Sequence, residues 1–200
     1  MRTKRNNRSH SGSAISEFGP ALFIFLILFL LPCINLVFYA AAVVSIQHIV
    51  EEASRAAAVS STQSEAIANV GSKANVWLKG GAGAGPGLGA FAHLNSNGRG
   101  IAGSGCTLQI LITDAAGVRP PILISGPSAT VPLPYDDPQN PATNASTVQY
   151  EYQVTGTYTV DPFLNMAGIP GIGQVPAVGT STTVSYTSKA QIENVSGLDN

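Results

Sequence analysis

The side chains able to do chemistry are few and scattered. His10 lies in a polar N-terminal stretch, His48 just after an apolar run, and His93 inside a Gly-rich segment. A metal site or an acid–base pair needs such groups to converge, and no spacing here joins them. Asp136 and Asp137 are adjacent, so their side chains diverge in an extended chain; they read as a turn, not as a carboxylate pair. Residues 81–89, GAGAGPGLG, look superficially like a Gly-x-Gly-x-x-Gly phosphate loop. No strand pattern leads into them, no helix pattern leads out and no Lys-Ser/Thr follows, so they read as flexible surface loop. HExxH, CxxC, GxSxG and Walker sequences do not occur. The chain is therefore expected to be no enzyme and to hold no cofactor and no metal. One acid has a telling position. Glu17 stands at the mouth of an apolar run, where an ionised carboxylate is costly, by a few kcal/mol towards a bilayer centre. An acid snorkelling to interfacial water is the plain account of it.

What surrounds Glu17 sharpens the picture. Arg2, Lys4, Arg5 and Arg8 precede it, and from Gly19 to Ile46 there are 28 residues without a charge, Asn35 being the most polar. A bilayer core about 30 Å thick needs about 20 apolar residues of helix. The run is long enough to span and long for a signal-peptide core of about 7–15 residues. Five of the seven Phe lie between Phe18 and Phe38. Basic residues before the run, with Glu51, Glu52 and Arg55 after it, predict a cytoplasmic N-terminus and an external chain beyond about Gln47. Pro20 and Pro32 predict a bent helix. Asn35 is suited to a hydrogen bond with another helix, and His48 to the outer interface.

The order basic leader, Gly12, four uncharged residues, Glu17-Phe18 and apolar run resembles a class III prepilin signal. The Glu-Phe pair is similar to that of the TadE-like minor pseudopilins of the tight-adherence (Tad) pilus. The likeness is close over residues 1–60 and loose beyond. It implies that residues 1–12 are a leader, cut between Gly12 and Ser13 by a prepilin peptidase, and that Glu17 and Phe18 serve assembly. It implies a single-pass protein of the bacterial inner membrane, acting in pilus biogenesis and adhesion. Its partners would be membrane lipid, the prepilin peptidase, other pilins or pseudopilins and the inner-membrane assembly platform. After such a cut the Ser13 amine is cationic below about pH 8. Glu17 is the acid at that end of the run, so the two are expected to pair, within one subunit or between neighbours. Two other readings compete: a signal-anchored external domain that binds a ligand or the envelope, and an anchored enzyme.

Composition agrees with an exported chain. Charged residues make up 10%, and Gly and Pro are abundant at 21 and 13 of 200 residues. Loss of residues 1–12 would remove four basic residues and no acid, leaving net −5, the wrong sign for nucleic acid. Cys33 lies in the apolar run and Cys106 far beyond it, so no intrachain disulfide is expected, and Cys106 reads as a small buried hydrophobe.

Beyond the span, residues 47–70 are Ala-rich without Pro or Gly, and Ala42, Ile46, Ile49, Ala53 and Ala57 form a small-residue stripe at helical spacing. They predict one continuous helix from Ser13 to about Val70, roughly 87 Å long, with Trp77 anchoring an external core. Thr107–Thr113 and Thr182–Glu193 alternate as strands, and Val118–Ser125 is an edge partner limited by Pro120 and Pro121. Thr147–Val160 alternates most cleanly, with Val148, Tyr150, Tyr152, Val154, Tyr158 and Val160 on one face and a bend or bulge expected at Gly156. Phe163–Val178 is an apolar, Gly- and Pro-rich loop that should pack on something. The expected fold is α+β: a long N-terminal transmembrane, pilin-like helix, then a small antiparallel sheet. Its parts are residues 1–12 (leader), 13–79 (helix, spanning at about 19–46), 80–105 (Gly-rich loop) and 106–200 (β-rich external domain).

Overall fold

The computed structural model describes residues 13–81, 86–114, 120–125, 148–193 and 198, with side chains from Phe18 onward. Residues 1–12, expected to be a leader, the Asp136-Asp137 pair and the Pro-rich stretch around it lie outside the described residues. The first element is a long helix in three pieces: α1 (Ser13–Phe25), a π-helical stretch (Leu26–Leu30) and α2 (Leu31–Ala58). Pro20 sits inside α1 without ending it. The π stretch lies just ahead of Pro32, where Leu31 N–H donates to the Leu26 carbonyl. Proline offers no N–H and crowds the carbonyl four residues back, and a widened turn absorbs that mismatch.

The helix does not run on to Val70. Val59 leaves helical geometry, Thr62 is extended, and α3 (Gln63–Lys79) folds back along α2. The cause is a capping box, Thr62-Gln63-Ser64-Glu65. The Thr62 hydroxyl accepts from Glu65 N–H at 3.1 Å, and the Glu65 carboxylate accepts from Ser61 N–H at 2.8 Å and Ser61 Oγ at 2.6 Å. Hydroxyl side chains at 60–62 thus offer the backbone a better alternative than further helix. The hairpin is also what covers the second stripe, Ala66, Val70, Ala74 and Leu78, all buried. Asn69 Nδ2 donates to Ser60 Oγ at 2.9 Å, and the Trp77 ring meets His48 edge-on at 4.6 Å, which fixes α3 antiparallel to α2.

The sheet is antiparallel. β4 (Val148–Val160) is its centre, flanked by β5 (Thr182–Gln191) on one edge and β2 (Cys106–Asp114) on the other, with β3 (Ile122–Ser125) outside β2. The short β1 (Leu94–Asn95) continues the line of β2 along the end of β4. The alternation of β4 is realised as read: Tyr150, Tyr152, Val154, Tyr158 and Val160 face inward and are buried. Gly156 is not a bulge, because its pairing with Cys106 is in unbroken register. A Cβ at Gly156 would collide with Cγ2 of Val50, so the glycine is there to let α2 lie close on the sheet. The core forms where Ile46, Ile49, Val50, Ala53 and Ala57 of α2 meet Ile110, Tyr152, Val154 and Tyr158. The small-residue stripe therefore packs on its own domain. Ser54 adds a hydroxyl contact of 3.1 Å to Ser188 of β5, and Glu193 N–H caps the Ala58 carbonyl at 3.2 Å.

From residue 86 to 105 the Gly-rich segment is built, not slack. It contains α4 (Leu88–Phe91), β1 and a 3-10 turn (Ile101–Gly103) held to α3 by Asn75 Nδ2 donating to the Ala102 carbonyl at 3.2 Å. Gly105, at φ 82°, lies flat against the Tyr158 ring where a side chain would not fit.

Candidate functional site

The feature that sets this chain apart is the uneven cover along its first helix. Phe18–Ala58 is long and apolar enough to cross a membrane. Its beginning is bare: Phe18, Phe23, Phe25 and Phe29 are all more than half exposed, while Ile46, Ile49 and Val50 are fully buried. A bare apolar half on a folded domain needs a non-aqueous environment or other apolar surfaces to cover it. Of the processing and assembly residues read from the sequence, Gly12 lies outside the described residues. Ser13 opens α1, and Glu17 follows one turn later, so the two positions share a helix face. Phe18 is exposed.

Cover begins at Asn35, and not through another helix. Asn35 is buried by the loop that joins β4 to β5. Its Nδ2 donates to the Val178 carbonyl at 2.6 Å and to the Leu164 carbonyl at 3.0 Å, and its Oδ1 accepts from Leu164 N–H at 2.8 Å. One carboxamide thus satisfies three backbone groups of a loop that has no ladder of its own. Next to this clasp, Phe38 stacks on Phe163 with centroids 3.8 Å apart and planes 2° from parallel. Phe91 of α4 approaches Phe38 at 6.0 Å, and His93 meets Phe163 at 5.4 Å. The partner of Asn35 is therefore the apolar Phe163–Val178 loop, which finds here the surface it packs on.

No family model, curated protein or solved structure matches the chain.

Several of the remaining polar groups are engaged structurally. Cys106 Sγ and the Tyr158 hydroxyl are 3.2 Å apart, and Tyr158 donates to the Ser104 carbonyl at 2.8 Å. Burial pushes the Cys106 thiol and the Tyr158 phenol up, and the Tyr152 phenol up to about 12, so all three stay neutral near pH 7. Cys33 is exposed on the helix, and both cysteines are free. Arg55 contacts Glu52 at 2.8 Å and Glu51 at 3.8 Å on the helix surface, so the shorter pair is i,i+3 and not the i,i+4 pair. Among the described residues no three His, Cys, Asp or Glu side chains gather where they would hold a metal. A groove of about 440 Å³ opens between α3 and the β2–β3 edge, lined by Ile67, Ile101, Leu108, Ile110 and Ile124 with Gln63, and among the described residues no titratable side chain enters its wall.

Sequence reasoning missed two functional placements. The Asn35 clasp has a signal: a lone carboxamide in an apolar run, and elsewhere a charge-free loop, rich in Gly and Pro, whose backbone groups need partners. Nothing in either stretch says that they meet. The capping box at Thr62 is fully legible, and the Ala-rich composition around it points the other way.

Proposed function

We propose that this chain is a membrane-anchored, pilin-like subunit of the TadE-like kind, acting in the biogenesis of a tight-adherence pilus after removal of residues 1–12. The observation that carries the reading is the division of one helix into an apolar half that is bare from Phe18 and a half that is the spine of an α+β domain. The bare half anchors the subunit in the bacterial inner membrane with its N-terminus cytoplasmic, and there offers Phe18, Phe23, Phe25 and Phe29 to the helices of other pilins. The spine half carries the domain outside the membrane. Cleavage after Gly12 gives Ser13 a free amine one turn from position 17. Glu17 then neutralises an amine, its own or a neighbour's, in surroundings where two lone charges are expensive. A fixed pair of this kind also selects one axial register between neighbouring helices.

Two measurements test this. Mass spectrometry of the membrane-extracted chain is expected to find a mature N-terminus at Ser13. A retained Met1, or a cut beyond the apolar run, contradicts the pseudopilin reading and leaves a signal-anchored external domain. In cells producing the pilus, Glu17→Gln is expected to preserve membrane level and cleavage while reducing crosslinking to partner pilins. Unchanged assembly with a neutral residue 17 would make the acid a bystander at the interface.

A further inference from the structure

The clasp at Asn35 does more than hold a loop. With the contact of Phe91 on Phe38, it sets two stretches of the domain at the level of the helix where the bare half ends, and both stretches are free of charge. Residues 162–180 and 86–92 contain no Asp, Glu, Lys, Arg or His. Their large outward side chains are apolar, Phe91 being 62% exposed, Phe163 41% and Val175 42%, and the polar ones among them, Asn165, Gln174 and Thr180, are uncharged. Phe38 of α2 is wedged between Phe91 and Phe163, so the three rings form one rim around the helix. The first titratable groups stand at the edge of these rings, His93 meeting Phe163 at 5.4 Å and the exposed Asp161 two residues before it; a contiguous apolar patch rimmed by polar groups marks an interaction surface.

Helix length says what covers the rim. A bilayer core of about 30 Å takes some twenty residues at 1.5 Å each. Counted from Phe18, the first apolar residue after Glu17, that length ends at about Val37. This is the level of Asn35 and Phe38, and hence of the rim. The far end of the helical hairpin, at Val59, lies about 30 Å farther along the same helix. Resting on the membrane-anchor reading above, we propose that the rim formed by Phe38, Phe91, Phe163 and the 162–180 loop beds into the headgroup–acyl boundary of the outer leaflet, so that the domain docks on phospholipid. Amphipathic surfaces at that boundary sit about 5–10 Å deep, which matches one layer of rings. The membrane span is then shorter than the charge-free run: the helix from Phe18 to about Val37 crosses the core, and the residues from there to Ile46 belong to the domain. The clasp fits this placement, because at that depth the three loop backbone groups bonded by Asn35 would otherwise find little water.

Tryptophan reporters in the full chain test the docking. In a Trp77→Phe background, three versions are made, with Phe23→Trp, Phe91→Trp or Val59→Trp, and each is reconstituted into vesicles containing phospholipids brominated on the acyl chains. The expected result is strong quenching and a blue-shifted emission at 23, clear quenching at 91, and none at 59. Quenching at 23 without quenching at 91 overturns the docked rim and leaves the anchor standing, the rim then being covered by protein or exposed to water. Absence of quenching at all three overturns the anchor itself. Quenching at 59 as strong as at 91 overturns the upright rim in favour of a domain lying flat. Photo-crosslinking of the unsubstituted chain with acyl-diazirine lipids tests the same placement without reporters: adducts are expected in peptides covering 86–92 and 162–180, and their absence, with adducts present in the bare helix, contradicts the proposal.

Discussion

Phe18–Leu30 and Ala42–Ala58 belong to one helix and have opposite surroundings. In the first, Phe18, Phe23, Phe25 and Phe29 stand 55–65% exposed; in the second, Ile46, Ile49, Val50 and Ala53 have no exposed surface. Both are apolar, so hydropathy alone does not tell a span from a core helix. Size and periodicity do. The bare half has Phe and Leu all round, suited to lipid or to neighbouring helices. The covered half has a one-sided stripe with Ala at 42, 53 and 57, which brings the helix axis close to the sheet, and Gly156 opposite Val50 takes this further. The boundary between the halves is marked by the one carboxamide of the run, Asn35.

The comparison is broken most severely from the covered side. Ile49→Ala removes a fully buried side chain between α2 and β4 and is expected to lower the stability of the α+β domain by about 2–5 kcal/mol. Denaturant unfolding of the detergent-solubilised chain measures this, and membrane retention should not change. Leu28→Arg acts on the bare side and is expected to cost about 2.5–3.5 kcal/mol of insertion while leaving domain stability unchanged. Carbonate extraction of membranes, with unfolding measured in parallel, separates the two effects. If Ile49→Ala released the chain from membranes, or Leu28→Arg unfolded the domain, the division of labour along the helix would be wrong.

Smaller effects sharpen the boundary at the other end of the spine. Thr62→Ala removes the cap that starts α3 and is expected to cost about 1 kcal/mol. Glu65 is solvent-exposed, and its hydrogen bonds from Ser61 hold its carboxyl below the usual glutamate range. Its contribution is therefore in place above that range and is lost as pH falls through the lowered folded-state value. Glu65→Gln should flatten this acid-side loss in a pH series of unfolding curves, by lowering stability at neutral pH and leaving it unchanged in acid.

The elements that depend on local pattern are legible in the sequence. The alternation of β4 gives its buried face correctly from Val148 to Val160, and β2, β3 and β5 are each legible as strands of an antiparallel sheet. The stripe on α2 is legible as well. Three features are not, each because it depends on contacts distant in sequence. Asn35 and Leu164 meet across 129 positions. Gly156 resembles a bulge because a glycine in a strand carries no sign of the helix that presses on it. The Gly-rich stretch resembles a slack loop because residues at positive φ, such as Gly105, are required by a packed turn as much as by a flexible one. The helix break at Ser60–Thr62 differs in kind: its capping sequence is present, and the helix-favouring Ala-rich run around it masks the signal. Of the processing and assembly residues, Ser13 and Glu17 rest on spacing and resemblance, and only their helix positions are described.

The most direct measurement of the two-halved helix is labelling of single cysteines in intact spheroplasts with a membrane-impermeant maleimide. Cys33→Ser provides the background, the buried Cys106 being retained, and a cysteine is introduced at Phe25 in one variant and at Val59 in another. The account predicts rapid labelling of Val59→Cys from outside and no labelling of Phe25→Cys until detergent is added. Equal labelling of Phe25→Cys in intact spheroplasts, or protection of Val59→Cys, would contradict it.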